Sequence, residues 1–505
     1  MLYILICTIK FTQMKLKIYT TMLVLLTAFA VKAQDAEQPI DTLTRHVAGM
    51  RQELDVLKRI KVSGYIQAQY QVADSGGISS FAGGSFASGV DKRFMLRRAR
   101  VKVQYDAPFN DKGISTSQYV FQLDVTERGV AIKDMYAKFT DPWSGWFSLT
   151  AGMQNRPFGY EIGYSSSLRE SPERGRLSQI IFPNERDLGA MLSIQGPKTS
   201  NWNWLKIDAG FFNGTGGPGA ANIVNGTASG TSNTADFDKF KDFIGHIGVN
   251  RSSKSEKVKW GLGASYYSGG FRQDASDRYE FGTDSAGVKG FTIEQKKADV
   301  AANVNVRDKA NRNVIGFDAQ LNIDWMIGLT TLRAEYIMGT QPGTSGSSVS
   351  IAAAPTSTTT AYTSTSLTTI DSTTGLATTT TTTTAATSTT TSDTYLRNFS
   401  GAYFYFIQNI GHSPFQFIAK YDWYDPNTDV EGDEIGKAVK SGYKATTSTD
   451  LKYTTIGLGL AYRWDANVKL TAYYDMVSNE TSANLGGYTN DLKDNVFTLR
   501  LQVKF

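Results

Sequence analysis

The run Arg93-Phe-Met-Leu-Arg-Arg-Ala-Arg-Val-Lys-Val-Gln-Tyr105 concentrates cations at a spacing that can do chemistry. Ala99, Val101, Val103 and Tyr105 alternate with Arg98, Arg100, Lys102 and Gln104, so a strand here puts three cations on one face. Same-face side chains of a strand stand about 7 Å apart. Arg98, Arg100 and Lys102 would then form a ladder along a water-filled bore. Guanidinium groups meet phosphate oxygens through paired hydrogen bonds, and rings of Arg or Lys select anions in pores. The opposing expectation is that the ladder balances carboxylates on adjoining strands. Asp124 lies in phase with Gln118, Gln122 and Thr126, and Asp134 in phase with Lys138. On the sequence alone, anion selection and structural pairing both stand.

A second cluster runs from Asn155-Arg-Pro-Phe-Gly-Tyr-Glu161 to Arg186. It holds Ser165-Ser-Ser167, Arg169, Arg174 and Arg176 against Glu161, Glu170, Glu173, Glu185 and Asp187. Folded into a bore, it would make a constriction of mixed sign, with Arg156 and Arg186 as its candidate anion-binding members. No enzyme is expected. The three histidines, His46, His246 and His412, are far apart, and no HExxH, P-loop or GxSxG context occurs. His246, placed on the inner face of a strand, is the one candidate for a nucleophile–histidine pair, and a pore-lining imidazole explains it equally simply. Cys7 is the sole cysteine, so disulfides and thiolate metal sites are excluded, and no cofactor is implied.

The elements that must position these residues alternate with period two. Val62, Gly64, Ile66, Ala68, Tyr70 and Val72 interleave with Gln67, Gln69 and Gln71, and the same dyad recurs over Ile315–Trp325, Phe415–Trp423 and Val468–Met476. Apolar and strongly polar faces on each strand fit a barrel with lipid outside and water inside. A soluble sandwich would alternate too, with its apolar face in the core. Aromatics at strand ends (Tyr70, Tyr105, Tyr266, Trp325, Trp423, Tyr462, Trp464) and alternating long and short connections favour the membrane version. The predicted fold class is therefore all-β: an antiparallel transmembrane β-barrel of about 16 strands. The last strand, Asn495 to Phe505, puts Phe497, Leu499, Leu501 and Val503 on one face and Thr498, Arg500, Gln502 and Lys504 on the other.

Composition sets the boundaries. Lys15 and Lys17 precede the apolar run Thr21–Val31, and Val31-Lys-Ala33 offers a cleavage site, so residues 1–33 read as a signal peptide. Without them, 48 basic residues face 47 acidic ones, which gives no global field for nucleic acid. Residues 34–60 read as a short N-terminal periplasmic helix. In it Leu43, Val47, Met50, Leu54 and Leu57 keep the 4, 3, 4, 3 spacing of a coiled coil. Either self-association or packing on its own barrel accounts for that stripe. Residues 61–505 are the barrel, with 343–392, largely Thr, Ser and Ala, expected as a disordered external loop.

Three motifs, in order, carry a family resemblance: Arg97-Arg-Ala-Arg100, Gly152-Met-Gln-Asn-Arg-Pro-Phe-Gly159, and Phe182-Pro-Asn-Glu-Arg-Asp-Leu-Gly189. With them the chain resembles the phosphate-selective porin O/P family over most of its mature length, most closely over residues 61–215. The resemblance implies a 16-stranded homotrimeric barrel in the Gram-negative outer membrane. It also implies a third loop folded inward and an arginine-lined path for inorganic phosphate or other small anions, with outer-membrane lipid as the surrounding partner. The loop's carboxylates and the near-balanced charge depart from a strongly basic bore. A general or sugar-permeable porin is accordingly the alternative. An outer-membrane hydrolase using His246 and a surface-binding protein using the Thr-rich loop stand further off.

Overall fold

Apolar–polar alternation produces strands that recur from residue 60 to residue 504. The computed structural model describes residues 39–505, apart from 128, 184, 216–221, 225–226, 230–235, 237, 273–276, 297, 299–308, 350–355, 371–372, 375–376 and 392. The expected signal peptide lies outside the described residues. The chain divides into two units, Met1–Ile60 and Lys61–Phe505. In the first, α1 (Pro39–Arg59) is an α-helix whose Val47, Met50, Leu54 and Leu57 are exposed.

The second unit begins with β1 (Ile60–Ala73), β2 (Lys92–Asp106), β3 (Ser117–Thr126), β4 (Gly129–Thr140), β5 (Phe147–Asn155) and β6 (Arg186–Gln195). It continues with β7 (Leu205–Phe212), β8 (Asp242–Ser252), β9 (Val258–Arg272), β10 (Lys309–Trp325) and β11 (Gly328–Gly343). The circuit ends with β12 (Thr394–Asn409), β13 (Phe415–Asp425), β14 (Tyr453–Arg463), β15 (Val468–Asn479) and β16 (Val496–Lys504). Each strand pairs with the next, and β16 returns antiparallel to β1, with Tyr65 opposite Lys504 and Ala73 opposite Val496. The result is a closed 16-stranded antiparallel barrel with no free sheet edge.

Burial in this barrel is inverted relative to a water-soluble protein. On β16, Thr498, Arg500 and Gln502 are buried while Phe497, Leu499, Leu501 and Val503 are exposed. On β1, Gln67, Gln69 and Gln71 are buried and Val62 and Ile66 exposed. A sandwich would show the reverse. An apolar exterior around a polar interior is the surface a lipid bilayer requires.

Connections on one rim are short, as at 253–257, 326–327 and 464–467. Those on the other rim are mostly long. The β9–β10 connection contains a hairpin, Arg278–Thr283 paired with Lys289–Gln295. Residues 343–392, expected to be disordered, instead contain a ribbon in which Thr356–Ile370 pairs antiparallel with Ala377–Thr391. Threonine is β-branched and favours extended backbone, which accounts for this pairing.

Candidate solute pathway narrowed by the third loop

The 156–185 connection folds into the barrel. Its short helix, α2 (Arg176–Ile181), and flanking residues bring Phe158, Ile162, Leu177, Ile180, Ile181 and Phe182 against Phe212, Ile244, Tyr267, Val314, Ile337, Phe399 and Tyr424 of the inner wall. Wall glycines make the recesses. A Cβ at Gly316 would stand 2.8 Å from the Phe158 ring, and one at Gly401 3.0 Å from Leu177 Cδ1. Each apolar side chain so buried contributes about 1.5–3 kcal/mol. This buried apolar cluster is the seat of the loop.

Polar contacts fix the loop around the wall. Glu173 accepts from Arg97 Nε at 2.9 Å, Arg98 Nη2 at 2.7 Å and Arg500 Nη2 at 2.7 Å. Glu170 takes both Nη groups of Arg333, at 2.7 and 3.1 Å. Tyr65 OH meets Ser166 Oγ at 2.6 Å, and Lys469 Nζ donates to the Arg169 carbonyl at 2.8 Å. Across the lumen, the Tyr160 and Glu161 amides donate to Glu335 Oε2, which also accepts from Tyr403 OH at 2.8 Å. Burial would push the Glu173 carboxyl up, but Arg97, Arg98 and Arg500 hold it well below the usual carboxylate range. Glu185 is likewise buried, and Arg174 and Arg186 hold it well below that range.

The loop parts the interior into hollows. One, of about 740 Å³, lies against the inner faces of β2 to β7 and reaches the short turns at Gly145 and Pro197. A second, of about 430 Å³, lies beyond Arg176 and Ile180 toward the long connections. Beside Glu173, Arg174 and Lys420 a void of about 20 Å³ remains, room for one water. The charged lining of the larger hollow is seven Arg or Lys side chains against Asp134 and Glu185.

The predicted site residues have different fates. Arg98, Arg100 and Lys102 do share the inner face of β2. Arg98, however, is committed to Glu173 and Gln67, and Arg100 Nε to Asp124 at 3.0 Å. Lys102 lines the large hollow and has no salt bridge among the described residues. Arg186 pairs with Asp134 and Glu185, both at 3.0 Å. Arg156 is buried, its guanidinium carbon 5.0 Å from the Phe182 ring centroid, with Nε and Nη2 unpartnered among the described residues. His246 Nε2 faces Asp318 at 3.3 Å.

Other residues enter that alternation did not mark. Arg97 and Arg98 both reach Glu173, so inward parity on β2 slips by one between Arg93 and Arg98. A register shift between Gln122 and Leu123 places an extra residue on β4. Lys133 there stands among the charges of Glu185, Arg100 and Arg186, one step from inward Asp134. Such bulges leave no trace in a two-residue period. Lys138, in contrast, follows the expected parity and lines the large hollow without a salt bridge among the described residues.

Neither a protein-family model nor a curated protein matches the sequence. Solved structures do. OprB of Pseudomonas putida superimposes with a TM-score of 0.50 at 10% identity, covering 91% of this chain and 97% of that one. An anion-selective porin from Comamonas acidovorans gives 0.45 at 9% identity over 88% and 99%, and the channel DcaP of Acinetobacter baumannii 0.45 at 10% over 88% and 97%. At these identities the likeness concerns architecture: the chain has the barrel fold of OprB.

Proposed function

We propose that the chain is a passive pore of the bacterial outer membrane that favours small anions, inorganic phosphate among them. The observation that carries this reading is the lining of the 740 Å³ hollow, in which Lys102, Lys138, Arg169 and Lys198 have no salt bridge among the described residues while Arg100, Arg186 and Lys206 are paired. Arg100 and Arg186 are paired with carboxylates and offer a passing anion little free charge. Lys102 and Lys138 are free to meet a passing ion. Contact with lysine ammonium groups is weak enough to let the ion leave, as conduction requires. The paired arginines argue for a modest preference over a tight phosphate site.

Reversal potentials in planar bilayers under a KCl gradient test the reading. The wild type is expected to pass chloride over potassium, with phosphate reducing the chloride current. The double variant Lys102→Glu, Lys138→Glu is expected to move the reversal potential toward the potassium side. Cation selectivity in the wild type would overturn the anion preference.

A homotrimer is part of the same proposal, and α1 is the element suited to join protomers. Its heptad-spaced Val47, Met50, Leu54 and Leu57 are exposed, and such a stripe is buried by a second copy of itself. Deleting residues 39–59 is expected to lower the oligomer mass measured by light scattering in detergent. An unchanged mass assigns assembly to the barrel wall.

A further inference from the structure

The β8–β11 side of the lumen carries different chemistry from the cationic β2–β7 side. Tyr160 and Tyr164, one loop turn apart, stack with ring centroids 5.2 Å apart and planes at 28°. Arg333 braces the pair, with its guanidinium carbon 4.5 Å from the Tyr164 centroid and Nη2 donating to Tyr164 OH at 3.2 Å. Its charge is already spent on Glu170 through two hydrogen bonds. A cation so engaged holds the rings and offers little to an anion. Tyr160 faces a hollow of about 380 Å³ bounded by Asn250, Gly261, Gln320 and Asn322. That volume lies within the range of small-ligand sites.

Gly261 shapes this hollow. A Cβ there would come 2.5 Å from Asn250 Oδ1 and 2.6 Å from Gln320 Oε1, so the missing side chain lets the two amide oxygens converge. Gln320 is oriented from behind, its Nε2 donating to Asp318 Oδ1 at 2.6 Å. Asn322 is oriented likewise by Thr331 Oγ1 at 2.7 Å. The converging oxygens of Asn250 and Gln320 can accept from neighbouring hydroxyls of one ligand. Tyr160, stacked on Tyr164 and with the Arg333 guanidinium carbon 5.4 Å from its own centroid, lines the same hollow, and an aromatic ring there suits the C–H groups of a sugar. Of its charged lining residues, Lys259 and Glu256 stand 3.9 Å apart, and the Arg251 guanidinium carbon lies 4.3 Å from the Trp204 ring centroid.

We propose that Tyr160, with Asn250 and Gln320 across the hollow, forms a subsite for a neutral pyranose saccharide. The subsite rests on the pore reading only in that solute must reach it from one rim; its binding can be read without ion flow. The test is isothermal titration of the folded, detergent-purified protein with maltose. Saturable binding is expected, weakened about tenfold or more by Tyr160→Ala or Gln320→Ala, a loss of about 1.4 kcal/mol or more, and kept in Tyr160→Phe. Phosphate at equal concentration should not compete.

No saturable heat from maltose or glucose at about 100 mM, far above millimolar affinity, would overturn the subsite. So would wild-type binding in a folded Gln320→Ala together with Tyr160→Ala. Conductance in planar bilayers separates the two readings. A protein that binds maltose but does not conduct defeats the pore and keeps the subsite. One that conducts without binding sugar does the opposite.

Discussion

Glu173→Ala is expected to free the third loop and change both conductance and selectivity. The carboxylate is buried and is shared by Arg97, Arg98 and Arg500, so its removal leaves three guanidinium groups without their common counter-charge. Breaking a buried ion pair from one side costs about 3–5 kcal/mol. Urea unfolding in lipid vesicles should show a loss of that order. Single-channel recordings should show larger, noisier conductance and a shift further toward anions. Wild-type conductance and stability in the variant would remove Glu173 from the role of anchor.

The same anchor predicts a pH response. A carboxyl whose folded value is depressed stabilises the fold above its unfolded value and loses that contribution as pH falls through the folded one. Because Glu173 is held well below the usual range, its contribution persists through mildly acidic conditions. The stability difference between wild type and Glu173→Ala should therefore be the same at about pH 5 as at neutral pH, since the ordinary glutamate value is about 4.3.

Gly159→Ala is expected to be the most disruptive methyl addition in the loop. Gly159 has φ +59°, and a Cβ there would stand 1.7 Å from Glu335 Oε1. The left-handed backbone alone costs a non-glycine residue about 1–2 kcal/mol. The added methyl must also displace Glu335, which receives the Tyr160 and Glu161 amides and the Tyr403 hydroxyl. Gly159 N–H itself donates to Ser265 Oγ at 2.8 Å. A lowered unfolding midpoint with altered conductance is the expected result. An unchanged midpoint would mean that Glu335 can step aside freely.

Much of the barrel was legible in the residues. The dyad over Ile315–Trp325 placed Asp318 and Gln320 inward and Phe317 and Trp325 outward, as β10 shows them. Sixteen strands followed from connection lengths, because short turns and long loops alternate around the rims. The cationic face of β2 was legible as well, but its partners were not. Whether Arg98 is free or held depends on Glu173, which lies 75 positions away on a loop whose path is set by Gly316 and Gly401 on distant strands. Lys133 was missed because a bulge moves it across the wall. Tyr160 and Tyr164 were passed over because their stacking is a product of the loop's curvature. Local periodicity reports which way a strand residue points; it says nothing of what arrives opposite it.

The three-arginine clamp also straddles the seam where the two ends of the sheet meet. Arg97 and Arg98 belong to β2 and Arg500 to β16, while β1 between them supplies Gln67 to Arg98 and Gln69 to Arg500. Gln67 and Gln502 bond across 435 positions of chain, so the seam is among the most entropically expensive contacts to form. Glu173 finds all its partners only after that closure. The clamp is therefore completed only when the barrel closes: with β1 and β16 apart, Arg500 would be carried away from Glu173 and the loop held by its apolar seat and its far-wall contacts alone.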